Sequence, residues 1–254
     1  MDRRIVFQGI QNARDLGGLS TADGRVIKSA LLLRSANLSE ATLKDQASLR
    51  ENCHLTKIID LRTSQERSEK PDAVIDGVEY VAMPAFDGPV AGISHEKEQR
   101  SVAAPNMEQL YGAMMTDAAC RKNLGHAAQC VMEHDFSTGS VLWHCTEGKD
   151  RCGLLTMILL SALGVERSVI MEDYLLTNET NAPKAERYYQ YVIAAGKTEE
   201  DAAAVRSAFL ADARYLAKAF EAIDAEYTSL DVFLSDGLGI SSGTIDRFRN
   251  SVLQ

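Results

Sequence analysis

Ser140-Val141-Leu142-Trp143 is a short apolar run of strand length, and Leu154 to Leu163 is an apolar run of helical length. Between them stand His144-Cys145-Thr146-Glu147-Gly148-Lys149-Asp150-Arg151-Cys152-Gly153. A buried strand feeding a buried helix through so short a turn is the βα unit of an α/β sheet, so Cys145 to Arg151 should form the strand-to-helix loop at the carboxyl end of its strand. Backbone N–H groups converge in such a turn. The helix N-terminus adds about half a positive charge, so the place suits a phosphoryl group held mainly by main chain.

The same field favours the thiolate of Cys145, which makes it a candidate nucleophile. Arg151, at the far end of the turn, offers a planar fork that matches phosphoryl oxygens in a way that lysine does not. The phosphate-binding set is then Thr146, Glu147, Gly148, Lys149, Asp150 and Arg151. Gly148 permits a backbone conformation that bulkier residues avoid, and Gly153 lets the helix pack closely.

A cysteine and an arginine separated by five residues are a weak signal in a chain with five cysteines. The flanking strand and helix and the Gly148-Lys149-Asp150-Arg151 core strengthen it. The loop resembles the His-Cys-x-x-Gly-Lys-Asp-Arg-Thr-Gly signature of the atypical bacterial protein tyrosine/serine phosphatases, which are dual-specificity-like and some of which also hydrolyse phosphoinositides. The likeness continues through Asn12 to Gly18, Leu33 to Ser39, Ile59 to Arg62, Asp173 to Asn178, Ser229 to Leu234 and Gly237 to Ile240. It is weakest over 86 to 106 and 181 to 215. Cys152 stands where that family has threonine, whose hydroxyl can hydrogen-bond the nucleophilic sulfur. A thiol donates more weakly, and a bridge between Cys152 and an oxidised Cys145 is a further expectation.

Composition agrees with a single enzyme domain over residues 1–254: 45% of the residues are apolar, and no linker, repeat or low-complexity tract interrupts the chain. The odd, irregular set of cysteines at 53, 120, 130, 145 and 152 argues against a disulfide framework and against a zinc site. No metal or organic cofactor is expected. A net charge of −9 makes nucleic acid an unfavourable partner, although a local basic pocket is compatible with it. The N-terminus lacks a signal-peptide core and no apolar run is long enough to span a membrane, so a cytoplasmic location is expected.

The pattern predicts an α/β fold with a central, mainly parallel sheet flanked by helices, followed by a helical C-terminal part. The resemblance implies the tyrosine phosphatase architecture. A hairpin through Leu19 to Leu33 turned at Asp23-Gly24, a helix from about Glu40 to Glu51, strands at Lys57 to Leu61, Val78 to Met83 and Ser140 to His144, and one long helical segment over 107–134 are expected.

An attack on a phosphate monoester expels an oxyanion that needs a proton. Asp60, at a strand end and assigned as general acid by the resemblance, is the first candidate, with Asp150 in the loop and Asp87 in Phe86-Asp87-Gly88-Pro89 behind it. Lys149 is either a contact for a second phosphate or a solvated lysine. Arg14 and Arg62 are expected to pair with carboxylates that steady the loop, with Asp15 and Asp150 as candidates, and His144 to be a buried histidine orienting its backbone. Tyr188, Tyr189 and Tyr191 read as half-buried packing residues, or as an aromatic lid. These readings converge on a cysteine-dependent phosphatase acting on phosphotyrosine, and on phosphoserine, phosphothreonine or phosphoinositides, through a phosphocysteine. The alternatives are a noncatalytic phospholigand-binding module and a rhodanese- or arsenate-reductase-like cysteine-loop enzyme.

Overall fold

The Ser140–His144 run is the central strand of a five-stranded sheet in the computed structural model, which describes residues 3–86 and 106–254. The strands are β1 (Arg14–Asp15), β2 (Leu32–Ser35), β3 (Leu55–Asp60), β4 (Glu79–Ala82) and β5 (Ser140–His144), in spatial order β1-β2-β5-β3-β4. Only the β1/β2 pair is antiparallel. The expected mainly parallel sheet is therefore present.

Side chains on the inner strands alternate between two cores, as a period of two requires. Leu33, Ile58 and Leu142 face one side, where they meet Leu38, Leu49 and Ile10. Leu32, Ile59, Val141 and Trp143 face the other, larger core. With both faces covered, every residue of β2 and β5 is buried, and each fully buried Leu, Ile or Val contributes about 1.5–3 kcal/mol.

Helix α1 (Leu43–Glu51) packs near β3 and opens on a capping box between Thr42 and Asp45; α2 (Ser64–Glu69) opens on another between Thr63 and Glu66. The expected single helix over 107–134 is two, α3 (Met107–Thr116) and α4 (Ala118–Met132). Asp117 takes an extended conformation there, ending one helix and capping the next through its side chain. The anticipated hairpin closes at the Asp23-Gly24 turn through Thr21 N–Arg25 O and Ile27 N–Leu19 O, but it ends there and does not extend to Leu33, because β2 joins the parallel sheet.

After the loop the chain is helical, with α5 (Asp150–Ala162), α6 (Arg167–Leu175), α7 (Thr177–Ala194), α8 (Glu199–Phe209), α9 (Ala213–Glu226), the short α10 (Leu230–Val232) and α11 (Ser242–Val252). A π-turn, Phe233–Gly237, continues α10. Helices α7 and α8 form a hairpin, and α9 lies along α3. No helix among the described residues is long and apolar enough to cross a membrane.

Candidate active site

Register brings the site together. Asp60 and Ser35 both lie opposite His144, so the carboxyl ends of β3, β5 and β2 are level, and Cys145 is the next residue out. Its side chain is buried.

The loop is held from behind by its carbonyls. Asn37 Nδ2 donates to Thr146 O (2.9 Å), Asn12 Nδ2 to Glu147 O and Gly148 O (3.1 and 3.0 Å), and Arg34 Nη2 to Gly148 O (2.8 Å). Pinned this way, the peptide units leave their amides free: among the described residues, no backbone N–H from Thr146 to Arg151 donates to the protein. Unpaired amides are costly to enclose unless something meets them, and such an arrangement suits an anion. Gly148 has φ of +66°, and a Cβ there would sit 2.5 Å from Ser35 O, so the tight turn demands glycine. At Gly153 a Cβ would press on the Tyr174 ring at 3.2 Å.

Sequence reasoning gave Arg14 the role of steadying the loop but gave none to Asp173, its partner. Asp173 of α6 is fully buried among Arg3, Arg14 and Arg34, with ion-pair distances of 2.7, 3.1 and 3.1 Å. Burial opposes its charge, but Arg14 and Arg34 outweigh burial and hold the carboxyl well below the usual range. Arg14 thus pairs with Asp173, not with Asp15, which instead accepts from the Gly17 and Ala30 amides.

Glu66 meets Arg151 at two points, Nη1–Oε2 2.6 Å and Nη2–Oε1 2.7 Å, and it also accepts from the Thr146 hydroxyl and the Thr63 amide. Burial pushes its carboxyl up, yet Arg151 and Thr146 carry it far below the ordinary glutamate value. The sequence signal was there in part: Thr63-Ser64-Gln65-Glu66 is a capping box, but nothing local shows that its glutamate also reaches Arg151. Arg151 lies 5.3 Å from the Phe86 ring as well.

Asp60 is fully buried. Arg62 binds its carboxylate through Nε and Nη2 (2.7–3.0 Å), the Arg62 amide adds 2.9 Å, and Tyr80 OH donates at 2.6 Å. Arg62 also pairs with Asp72 at 2.8 Å, not with Asp150. Despite burial, His144, Arg62 and Tyr80 hold the Asp60 carboxyl below its ordinary value. His144 is buried, with Nδ1 3.2 Å from Cys145 O and Nε2 3.0 Å from Asp72. Asp60, Asp72 and His144 are close enough to resemble a metal site, but the Arg62 guanidinium already supplies their positive charge.

Asp150 opens α5, and its Oδ1 accepts from Tyr111 OH at 2.7 Å. Its side chain is 24% exposed, whereas that of Asp60 is fully buried. Asp87 lies outside the described residues. Lys149 is not solvated: its ammonium is buried, donates to Ala208 O (2.6 Å) and Leu210 O (3.2 Å), capping α8, and pairs with Asp150 Oδ1 at 3.4 Å. Glu147 pairs with Lys184 of α7 at 2.6 Å. Cys152 is a free thiol whose Sγ points at Trp143 O, 3.7 Å away. Burial, opposed by Arg34, pushes it up to about 11.

This fold and loop define a cysteine-based phosphatase of the tyrosine phosphatase kind. The chain belongs to the tyrosine phosphatase family, whose model matches residues 5–254. A Cupriavidus necator protein assigned as a tyrosine-protein phosphatase is 32% identical over 237 residues, covering 93% of this chain and 84% of its own. The triple specificity protein phosphatase PtpB of Mycobacterium tuberculosis is 29% identical over 284 residues, covering 96% and 97%. Among solved structures, TpbA of P. aeruginosa aligns over 80% of this chain and 97% of its own, at 16% identity and a TM-score of 0.35.

Proposed function

We propose that the chain hydrolyses phosphotyrosine, and also phosphoserine, phosphothreonine or phosphoinositides, through a phosphocysteine on Cys145. The observation that supports this most is the ring of undonated amides from Thr146 to Arg151 beside the Cys145 thiol. In the first step the Cys145 sulfur attacks phosphorus and the substrate oxygen leaves with a proton. In the second, water attacks the phosphocysteine and phosphate departs. The amides and Arg151 meet the equatorial oxygens in both steps. Arg151 keeps its Nε hydrogen and one Nη1 hydrogen for this, while Glu66 and the Thr146 hydroxyl orient the rest of the guanidinium.

Asp150 is the better general acid. Asp60 is enclosed, every oxygen is taken by Arg62 or Tyr80, and its low affinity for a proton leaves it nothing to donate near neutrality. Its work is to hold Arg62 under the loop. Asp150 stands at the loop's end with one oxygen free of Tyr111, placed to protonate the leaving oxygen and then to accept a proton from water. PtpB is named for triple specificity, which favours a substrate range broader than phosphotyrosine here too.

Purified protein assayed in parallel for p-nitrophenyl phosphate hydrolysis, thiosulfate:cyanide sulfur transfer and arsenate reduction should show only the first. Phosphopeptides and phosphoinositides compared by kcat/KM then rank the substrates. Sulfur transfer or arsenate reduction without phosphate release would replace this reading.

A further inference from the structure

Helix α7 turns a cationic and aromatic face outward. Lys184, Arg187, Tyr188 and Tyr191 recur at spacings of three and four, so they share one side of the helix, and they line a groove of about 340 Å³. Tyr189 is half-buried as expected and Tyr188, 45% exposed, is close to it, whereas Tyr191 is 71% exposed. Tyr188 is fixed by stacking on Phe209 of α8, ring centroids 4.7 Å apart, and Lys184 lies 5.2 Å from the same ring. One end of the groove is joined to the loop, because Lys184 Nζ binds both carboxylate oxygens of Glu147 at 2.6 and 2.8 Å. Arg187 is exposed and has no ion pair among the described residues.

We propose that this groove docks an acidic peptide segment adjoining the phosphorylated residue, with a substrate Asp or Glu on Arg187 and an apolar or aromatic side chain on Tyr188 and Tyr191. The inference rests on the loop being the site of the substrate phosphate. Lengths agree with it: from Lys184 to Tyr191 the helix rises about 10 Å, the span of about three extended peptide residues. An acidic residue within about three positions of the phosphorylated one would reach Arg187.

Charge supports a peptide over a membrane. The chain carries −9 overall, so an anionic bilayer meets repulsion from most of the surface, whereas a short peptide experiences only the local field within a screening length of about 8 Å. Arg187 supplies the cation for it, since Lys184 is already held by Glu147. Stacked, pre-ordered tyrosine offers contact area at little entropic cost.

The test compares phosphotyrosine peptides of equal length with Asp/Glu, Gln or Lys flanks on wild type, Arg187→Glu and Tyr191→Ala. Wild type should prefer the acidic flank through KM. Arg187→Glu should raise that KM roughly fivefold to tenfold and leave kcat and p-nitrophenyl phosphate kinetics unchanged; Tyr191→Ala should raise it roughly threefold. Lys184 is left intact because it touches the loop. Fluorescence anisotropy with non-hydrolysable phosphonodifluoromethyl-phenylalanine peptides reads the groove independently of turnover. Inactive protein that still binds the acidic-flanked analogue, in an Arg187-dependent way, would sink the phosphatase reading and keep the groove. Equal affinity for all flanks, or an acidic preference that survives Arg187→Glu, overturns the groove. Arg187-dependent sedimentation with phosphatidylserine vesicles and no flank preference would assign the face to membranes instead.

Discussion

Glu66 grips the Arg151 guanidinium through two contacts of 2.6 and 2.7 Å, and the same carboxylate accepts from Thr146. Two elements distant in sequence, α2 and the loop, are locked together by one glutamate. Glu66→Gln keeps the shape and loses the charge, so Arg151 should turn less often toward the phosphate. About a tenfold loss of kcat/KM is expected, with about 2 kcal/mol of stability. Because the Glu66 carboxyl is lowered by folding, its contribution is complete above the unfolded value of about 4.3 and fades as pH falls through the folded one. Urea unfolding of wild type and Glu66→Gln should differ at pH 7 and converge at strongly acid pH. A difference that persists undiminished there would show that the charge is not what stabilises.

Asp150 and Asp60 separate by leaving group. Asp150→Asn should slow phosphotyrosine peptides by about a hundredfold, but substrates with a good leaving group much less, since those need little protonation. Asp60→Asn should slow both alike and lower stability, because Arg62 and Tyr80 lose their shared acceptor. Rates across aryl phosphates of rising phenol pKa measure this. A steep dependence for Asp60→Asn and none for Asp150→Asn would return the acid role to Asp60.

Asp173 neutralises Arg3, Arg14 and Arg34 inside the fold, and Arg34 in turn holds Gly148 O. Asp173→Asn leaves buried cations underpaired, so about 3–5 kcal/mol should be lost. Urea midpoints check this, and a loss below about 1 kcal/mol would contradict it.

Cys152 is fully buried, aimed at Trp143 O, and held protonated near neutrality with a value of about 11. It is poorly placed to trap an oxidised Cys145. Iodoacetamide at pH 7 should label Cys145 and spare Cys152, and mass analysis after peroxide should find sulfinic or sulfonic Cys145 with little 145–152 bridge. A dominant bridge would restore the redox role anticipated from the sequence.

The central strand, the loop and the two layers of core were legible because each is local: an apolar run of strand length, a glycine-bearing turn and an apolar run of helical length lie within about 25 residues. The parallel order followed from strands alternating with helices. What escaped was long-range pairing. Arg14 finds Asp173 across 159 positions and Arg151 finds Glu66 across 85, and no spacing rule connects them. Asp60 illustrates the same limit, for its strand-end position was plain while its enclosure by Arg62 and Tyr80 exists only in three dimensions. The break at Asp117 was missed for another reason, since neither glycine nor proline marks it.

The most direct test of the account is to trap the intermediate. Wild type mixed with a phosphotyrosine substrate, rapidly denatured in the steady state and digested, should yield one peptide carrying an added phosphoryl group on Cys145, absent from Cys145→Ser. Phosphate on another residue, or brisk turnover by Cys145→Ser with no phosphoenzyme in wild type, would contradict it.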